Sequence, residues 1–244
     1  MRHLPAPETS KYTRTGRRGW GDLSYGMTQP PDRPDRAHVR RSPDRGAYDA
    51  DTLYAILDAT PVCHVGMGDE HGPVVIPTFH TRVDHTLLIH GATTSRLMQY
   101  LASGAPVCVA VTLIDGLVLA RSVFNHSMNY RSAVVFGHGR LIDEERERLV
   151  ALETITERLI PGRWADARQP SAQELKATAI AVVTIEQASA KLRSGPPQDD
   201  EADLVLPVWA GVIPCAILES PPVADPQTEQ AGIEMPAYLR NRLG

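Results

Sequence analysis

Apolar and polar positions alternate through most of the middle of this chain, and the period changes at a few defined points. Apolar runs bounded by Gly, Asp and Pro predict strands at Val62–Gly66, Val74–Phe79 and Thr86–His90. Val107–Leu113 and Leu117–Ser122 flank Ile114-Asp115-Gly116, where Asp-Gly predicts a hairpin turn. Arg131–Ile142 predicts a long strand, with Gly137 and Gly139 marking a bulge. Ala177–Ile185 reads as a strongly apolar strand and Val208–Ile217 as the last one. Three segments have a helical period instead. Asp51–Asp58 follows a cap at Asp49 or Asp51 and is expected to sit at one end of the sheet. Leu97, Tyr100 and Leu101 form the stripe of a helix that stops at Gly104. Asp143–Ile160 spaces Leu149, Leu152, Ile155 and Leu159 by three and four, the strongest helix of the chain.

Many short antiparallel strands with inserted helices predict a mainly β fold, a closed or partly open barrel, over residues 40–218. Residues 1–39 are rich in Pro, Gly, Arg and Asp without apolar period and are expected to form a disordered basic arm. Residues 219–244 read as a tail with a short helical end. The string Gly66-x-Gly68-x-x-x-Gly72 lacks the spacing of a dinucleotide loop, and no long helix follows it.

The chain has 244 residues and a formal net charge of −4. Aromatic residues make up only 5%, so the core is expected to be Val, Ile, Leu and Ala. Charge is uneven, with ten Lys/Arg against five Asp/Glu in residues 1–45. No aromatic interleaving or DNA-reading helix accompanies those cations, so the arm is read as solvated and not as a nucleic-acid site. Cys63, Cys108 and Cys215 lie in apolar runs without C-x-x-C spacing, which fits reduced thiols in a cytoplasmic protein. No apolar run approaches the ~20 residues that span a bilayer.

The sequence holds no G-x-S-x-G, H-E-x-x-H or P-loop motif. Nine histidines are scattered without helical metal spacing, and no metal site is expected. His64, His80 and His90 fall on separate strands, the one set that could converge on a metal. Gly91-Ala92-Thr93-Thr94-Ser95-Arg96 gathers small residues, hydroxyls and a guanidinium at a helix start. That suits a phosphate, through free N–H groups and the Arg96 fork; Ser95 as a plain helix cap is the other reading. Asn129-Tyr130-Arg131-Ser132 opens a strand after a His-containing loop, where Asn129 and Arg131 either bond a ligand or tie down the loop. Arg45 is a further phosphate cation in outline; Lys191 and Arg193 read as a loop mouth before Gly195-Pro196-Pro197; Trp209 reads as core or interface.

Nine segments in order resemble one known family: RRSPDRGAYDADTLYAILD (40–58), VCHVGMG (62–68), VVIPTFH (74–80), LLIHGATTSRL (87–97), DGLVLARSVFNHSMNYRSAVVFG (115–137), PGRW (161–164), ELKAT (174–178), ASAKLRSGPP (188–197) and LPVWAGVIP (206–214). They resemble the FMN-binding split-barrel superfamily that includes pyridoxamine 5'-phosphate oxidase. The likeness is to its flavin-nucleotide-binding branch, related to nitroimidazole-resistance proteins. The resemblance implies a split β-barrel, an FMN cofactor and a homodimer with two flavin sites at its interface. It places the ring-lining strand on Val75, Ile76, Pro77, Thr78, Phe79 and His80, and the ribityl chain beside His90 and Gly91. It places the phosphate on Ser95 and Arg96, and a polar contact, often from the partner subunit, on Ser132. Two positions depart from the oxidases: Leu97 follows Ser95-Arg96 where they carry Lys, and His80 replaces a Lys on the ring-lining strand. The pyridoxal-phosphate-binding residues have no clear match. The resemblance implies a flavin-dependent oxidoreductase using a small-molecule electron donor and acceptor, with no catalytic acid assigned. The alternatives are a non-catalytic flavin carrier or redox sensor, and a haem-binding split barrel using His90 or His126.

Overall fold

The structure, a computed structural model, describes residues 36–240. Asp49 caps the first helix, α1 (Ala50–Asp58), by accepting a bond from Thr52 N at 2.8 Å. Leu53, Ile56 and Leu57 form its buried face, the periodicity read from the sequence. The short strand β1 (Gly46–Ala47) precedes it. Then come β2 (Val62–Asp69), β3 (Gly72–Phe79), β4 (Thr81–Val83) and β5 (Thr86–Ala92). Helix α2 (Arg96–Ala102) buries Leu97, Met98 and Leu101 and stops before Gly104, whose φ of 68° is the left-handed stop expected there.

The long strands β6 (Pro106–Leu119) and β7 (Ser127–Leu141) follow, then α3 (Glu145–Leu159), α4 (Arg163–Asp166), α5 (Ala172–Ala177), β8 (Thr178–Thr184), β9 (Gln187–Arg193) and β10 (Gly211–Pro214). Two short helices, α6 (Pro226–Gln230) and α7 (Ala237–Arg240), complete the described chain. The strands run in the order β3-β2-β6-β7-β8-β5-β4, with β9 and β1 branching from β7 and β10 from β6. The path is not closed, and the protein is a split barrel. The main core fills it with Val65, Ile89, Leu101, Val109, Val135 and their neighbours. A smaller cluster under α3 joins Ala151 and Ile155 to Leu88, Ile142, Ile180 and Val182.

The split is made on β7. Tyr130–Phe136 pair with β9, whereas Gly139–Leu141 pair with β8. Gly137 stands at the branch, where a Cβ would lie 1.9 Å from Thr184 O. Gly137 is thus a point of close backbone approach, and the bulge expected at Gly137 and Gly139 is replaced by a change of partner.

Four other expectations are corrected. Asp115-Gly116 is not a hairpin turn: β6 runs through it with a register shift between Ile114 and Gly116. Asp115 takes Arg131 in a two-bond pair, and Gly116 admits β10, since a Cβ would meet Val212 Cγ1 at 2.9 Å. Lys191 and Arg193 belong to strand β9 and not to a loop mouth. The last strand is Gly211–Pro214, shorter than Val208–Ile217, and Trp209 is exposed and so lies outside the core of this chain. In α3 Ala151 and Ile155 are buried and Leu152 packs against them, while Leu149 and Leu159, at the flanks of the stripe, are exposed. Most of the expected arm, residues 1–35, lies outside the described residues; Arg36 stacks over the Phe136 ring at 4.7 Å.

Candidate functional site

The edge strand β3 carries the residues assigned to the flavin ring. It pairs with β2 alone, Phe79 against Val62 and Val75 against Gly66. Val75 and Pro77 are exposed; Ile76, Thr78 and Phe79 are half-buried. Pro77 brings no N–H to the ladder, which an edge strand tolerates. His80 turns the other way. It is buried, its Nε2 donates to Leu57 O at 2.9 Å, and its backbone N donates to Pro61 O at 2.8 Å. Its Nδ1 has no partner. Burial lowers the His80 pKa, because a proton on Nδ1 would enter a space without an acceptor. His80 therefore ties the end of α1 to the corner between β3 and β4.

The other candidates line the same edge. Phe79 meets the His90 ring edge-on at 6.0 Å between centroids. Beyond His90, Gly91 lets α2 approach β5: a Cβ there would meet Met98 Cγ at 3.2 Å and Ser95 Oγ at 3.4 Å. Ser95 Oγ accepts from Met98 N at 3.2 Å, so Ser95 caps the helix. Arg96 projects from the first turn and pairs with Asp69 at the end of β2. The Arg96 side chain is 56% exposed, which leaves its fork open to an anion. Asp69 has no signal in the sequence, because it reaches Arg96 through space, 27 residues away.

Asn129, Arg131 and Ser132 form a second cluster on β7. Ser132 is registered against Thr112 of β6 and, through β2, stands level with Phe79. Three strand spacings of about 4.8 Å separate them, about 14 Å along the sheet. Among the described residues, the hydrogen bonds of this cluster go to β6, β9 and the turn after β9, not to β3. Ser132 Oγ donates to Lys191 O at 3.3 Å. Asp115 holds Arg131 through bonds of 2.9 and 2.8 Å. Asn129 is buried and donates to Gly195 O at 3.1 Å, while its Oδ1 accepts from Arg193. Arg193 is itself buried and also donates to Pro196 O at 3.3 Å. The Asn129 and Arg193 bonds tie down the turn after β9, whereas Arg131 is held by Asp115 of β6; neither residue ties down the loop before β7 through these bonds.

His64, His80 and His90 do not converge. His64 is exposed on the outer face of β2, His80 points inward, and His90 sits by Phe79. Among the described residues no group of three His, Cys, Asp or Glu side chains could hold a metal ion. Burial pushes the Cys63 thiol up to about 12. Among the described residues no helix is long and apolar enough to cross a membrane.

Comparisons with known proteins bear on this geometry. The family model described as pyridoxamine 5'-phosphate oxidase matches residues 49–192. The flavocytochrome Anf3 from Azotobacter vinelandii is 42% identical, over 86% of this chain and 98% of its own, with a TM-score of 0.81. The FAD and heme binding protein from Mycobacterium smegmatis is 36% identical, over 81% of this chain and 96% of its own, with a TM-score of 0.71. A protein assigned provisionally to 5-nitroimidazole antibiotic resistance, from Bacteroides thetaiotaomicron, shares the fold at 23% identity and a TM-score of 0.50, over 60% of this chain and 86% of its own. No curated protein matches significantly. With a family match over more than half of its length and a relative of 42% identity, the chain belongs to the pyridoxamine 5'-phosphate oxidase-like family of flavin-binding split barrels.

Proposed function

We propose that this protein is a flavocytochrome-like electron-transfer protein that binds a flavin nucleotide along β3 and a haem on the same subunit. The observation that carries the reading is its 42% identity to a flavocytochrome across 98% of that chain. The residues fit a flavin. Edge strand β3 offers unpaired backbone to the ring, Ile76, Thr78 and Phe79 offer a half-buried wall, and Arg96 offers a guanidinium to the phosphate end.

FAD is the flavin proposed, over the FMN that the family resemblance implies. A terminal phosphate monoester is close to dianionic at neutral pH. Here Arg96 is shared with Asp69, and the next residue, Leu97, is buried. A diphosphate spreads its two charges over two groups, so a single shared cation would face one charge, where a monoester sets both on one group. The Mycobacterium smegmatis relative is named for FAD and haem together. The residues also fit haem better than a bare metal, since haem asks for one or two axial side chains and not a cluster. When bound, flavin supplies two-electron uptake and haem one-electron transfer.

The Ser132 cluster stands about 14 Å along the sheet from Phe79. A homodimer with two flavin sites, each using one copy's β3 edge and the other's Ser132 cluster, resolves that separation. The test is the visible spectrum of the freshly purified protein, followed by chromatography of what denaturation releases. FAD with a Soret band supports the reading. FMN in its place moves the phosphate assignment to a monoester, and a colourless protein that takes up neither cofactor refutes it. NADH or NADPH oxidation with an added acceptor separates a turning-over oxidoreductase from a carrier.

A further inference from the structure

Trp209 stands on the surface at 68% exposure, yet its indole is seated. A Cβ on Gly211 would lie 2.9 Å from both Cη2 and Cζ2 of the ring, so the missing side chain is what lets the indole fold back over β10. The backbone beneath is held as well: Gly211 is registered against Leu119, and Cys215 N donates to Asp115 O at 3.1 Å. An exposed tryptophan fixed in this way has little freedom left to lose on docking.

The strand register shows what surrounds it. Side chains alternate along a strand, so Gly211 and Ile213 share one face of the sheet, and the indole lies on it. Ile213 is opposite Leu117 of β6, and Leu117 is opposite Met128 of β7. The three form a row with steps of about 4.8 Å, and each is 43–48% exposed. Two residues along β7, Tyr130 is opposite Ile114, which is 50% exposed; two further, Ser132 is opposite the exposed Thr112. On the other side, His64 opposite Ala110 and Val75 opposite Gly66 bring the exposed Val62 and Val75 onto the same face.

Weighted by their exposure, these apolar side chains present roughly 700 Å², above the ~300–600 Å² of the largest patch on a typical monomer and close to the ~800 Å² per partner of a stable interface. Thr112, Tyr130 and Ser132 between them are uncharged too, so two copies meet here without like-charge repulsion. Ser132 and the β3 edge, the two halves of the flavin site proposed above, both lie on this face.

We propose that a second copy of this chain covers this face of the sheet, and that Trp209 on its Gly211 seat is the anchor of the contact. This rests on the dimer proposed above and assigns its surface and the residue that holds it. A rigid, exposed indole amid half-exposed aliphatic side chains is the arrangement in which one residue carries much of an interface.

Sedimentation of the purified full-length protein over a range of concentrations, with flavin absorbance recorded in the same samples, tests it. Wild type should be a dimer. Trp209→Ala should raise the dimer dissociation constant at least about thirtyfold, with unchanged far-ultraviolet dichroism. Trp209→Phe keeps a ring on the seat and should stay within about fivefold of wild type. Gly211→Ala keeps the indole but puts a methyl group where it rests, and should weaken the dimer at least about fivefold. Leu149→Ala, on α3 away from this face, should leave it unchanged. A Trp209→Ala protein that dimerises like wild type, or equal weakening in Leu149→Ala, overturns the anchor. A monomeric wild type overturns the surface as a self-interface, and leaves flavin binding standing if the monomer is yellow. A colourless wild type that still dimerises through Trp209 supports this inference and fails the flavin reading alone.

Discussion

Replacing Arg96 with Ala separates a phosphate site from a surface ion pair, because the two roles predict different magnitudes in different assays. The Arg96 and Asp69 side chains are 56% and 28% exposed. Exposed pairs of this kind contribute ~0.2–1 kcal/mol to folding. The helix start keeps its Ser95 cap in the variant, so the urea midpoint should scarcely move. A charge-assisted bond to phosphate contributes ~1.5–3 kcal/mol of binding. FAD affinity, followed by quenching of flavin fluorescence, should then fall about 10- to 150-fold. Riboflavin lacks the phosphate, and its affinity should stay within about twofold. Asp69→Asn tests the same geometry with the opposite sign. It removes the carboxylate that holds Arg96, so FAD should bind about 3- to 10-fold more tightly, an effect that salt weakens. Equal losses for FAD and riboflavin in Arg96→Ala, or no loss for either, would refute the reasoning.

Three other outcomes follow from the packing. Gly137→Ala places a methyl group 1.9 Å from Thr184 O, a backbone atom, and should cost more than about 3 kcal/mol in urea unfolding; a stable variant would mean that the branch of β7 can open. Asn129→Ala strips buried Arg193 of an acceptor and should cost about 2–4 kcal/mol, and a loss under about 1 kcal/mol would show that water replaces the amide. His80 carries a pKa lowered by burial from an unfolded value of about 6.5, so its contribution to stability is full above that value and is lost as pH falls through the folded one. Wild-type urea midpoints should drop from pH 7 to pH 5, and His80→Asn should flatten that slope; parallel slopes would assign the pH dependence to other groups.

What could be read from the chain was what local chemistry decides. Asp49, Ser95 and Gly104 act within a few residues of themselves, and each sits where its residue type puts it. Asp115-Gly116 carries the same kind of local signal and points the wrong way, because distant partners use both residues. Arg131 takes the carboxylate, and β10 fills the space a side chain would occupy. Strand β9 was illegible for a related reason. Its inward residues Ala188 and Ala190 are small, and its buried Arg193 reads as a surface charge until Asn129 is found beside it. Likewise the β3 edge and the helix start were visible as a candidate site, whereas the pairs of Arg96 with Asp69 and of Arg121 with Asp199 join residues far apart in sequence.

Charge at the phosphate end bears on what the site selects. Arg96 and Asp69 sum to zero, and Leu97, where the oxidases carry Lys, faces the core at 6% exposure. A lysine at this position would have to leave the core to serve a phosphate, at the cost of a contact that holds α2 to the barrel. The site therefore draws less on Coulomb attraction than an Arg-Lys pair would. In the flavin reading proposed here, more of the affinity would fall to the backbone edge of β3 and the half-buried wall around Phe79, on the side of the ring. A site weighted toward the ring would hold its flavin by the part that changes on reduction, so its affinity would differ between oxidation states. That difference shifts the flavin potential by the same free energy. In the flavin reading proposed here, Leu97 in place of Lys would thus move binding free energy from the phosphate to the ring, and the flavin potential with it.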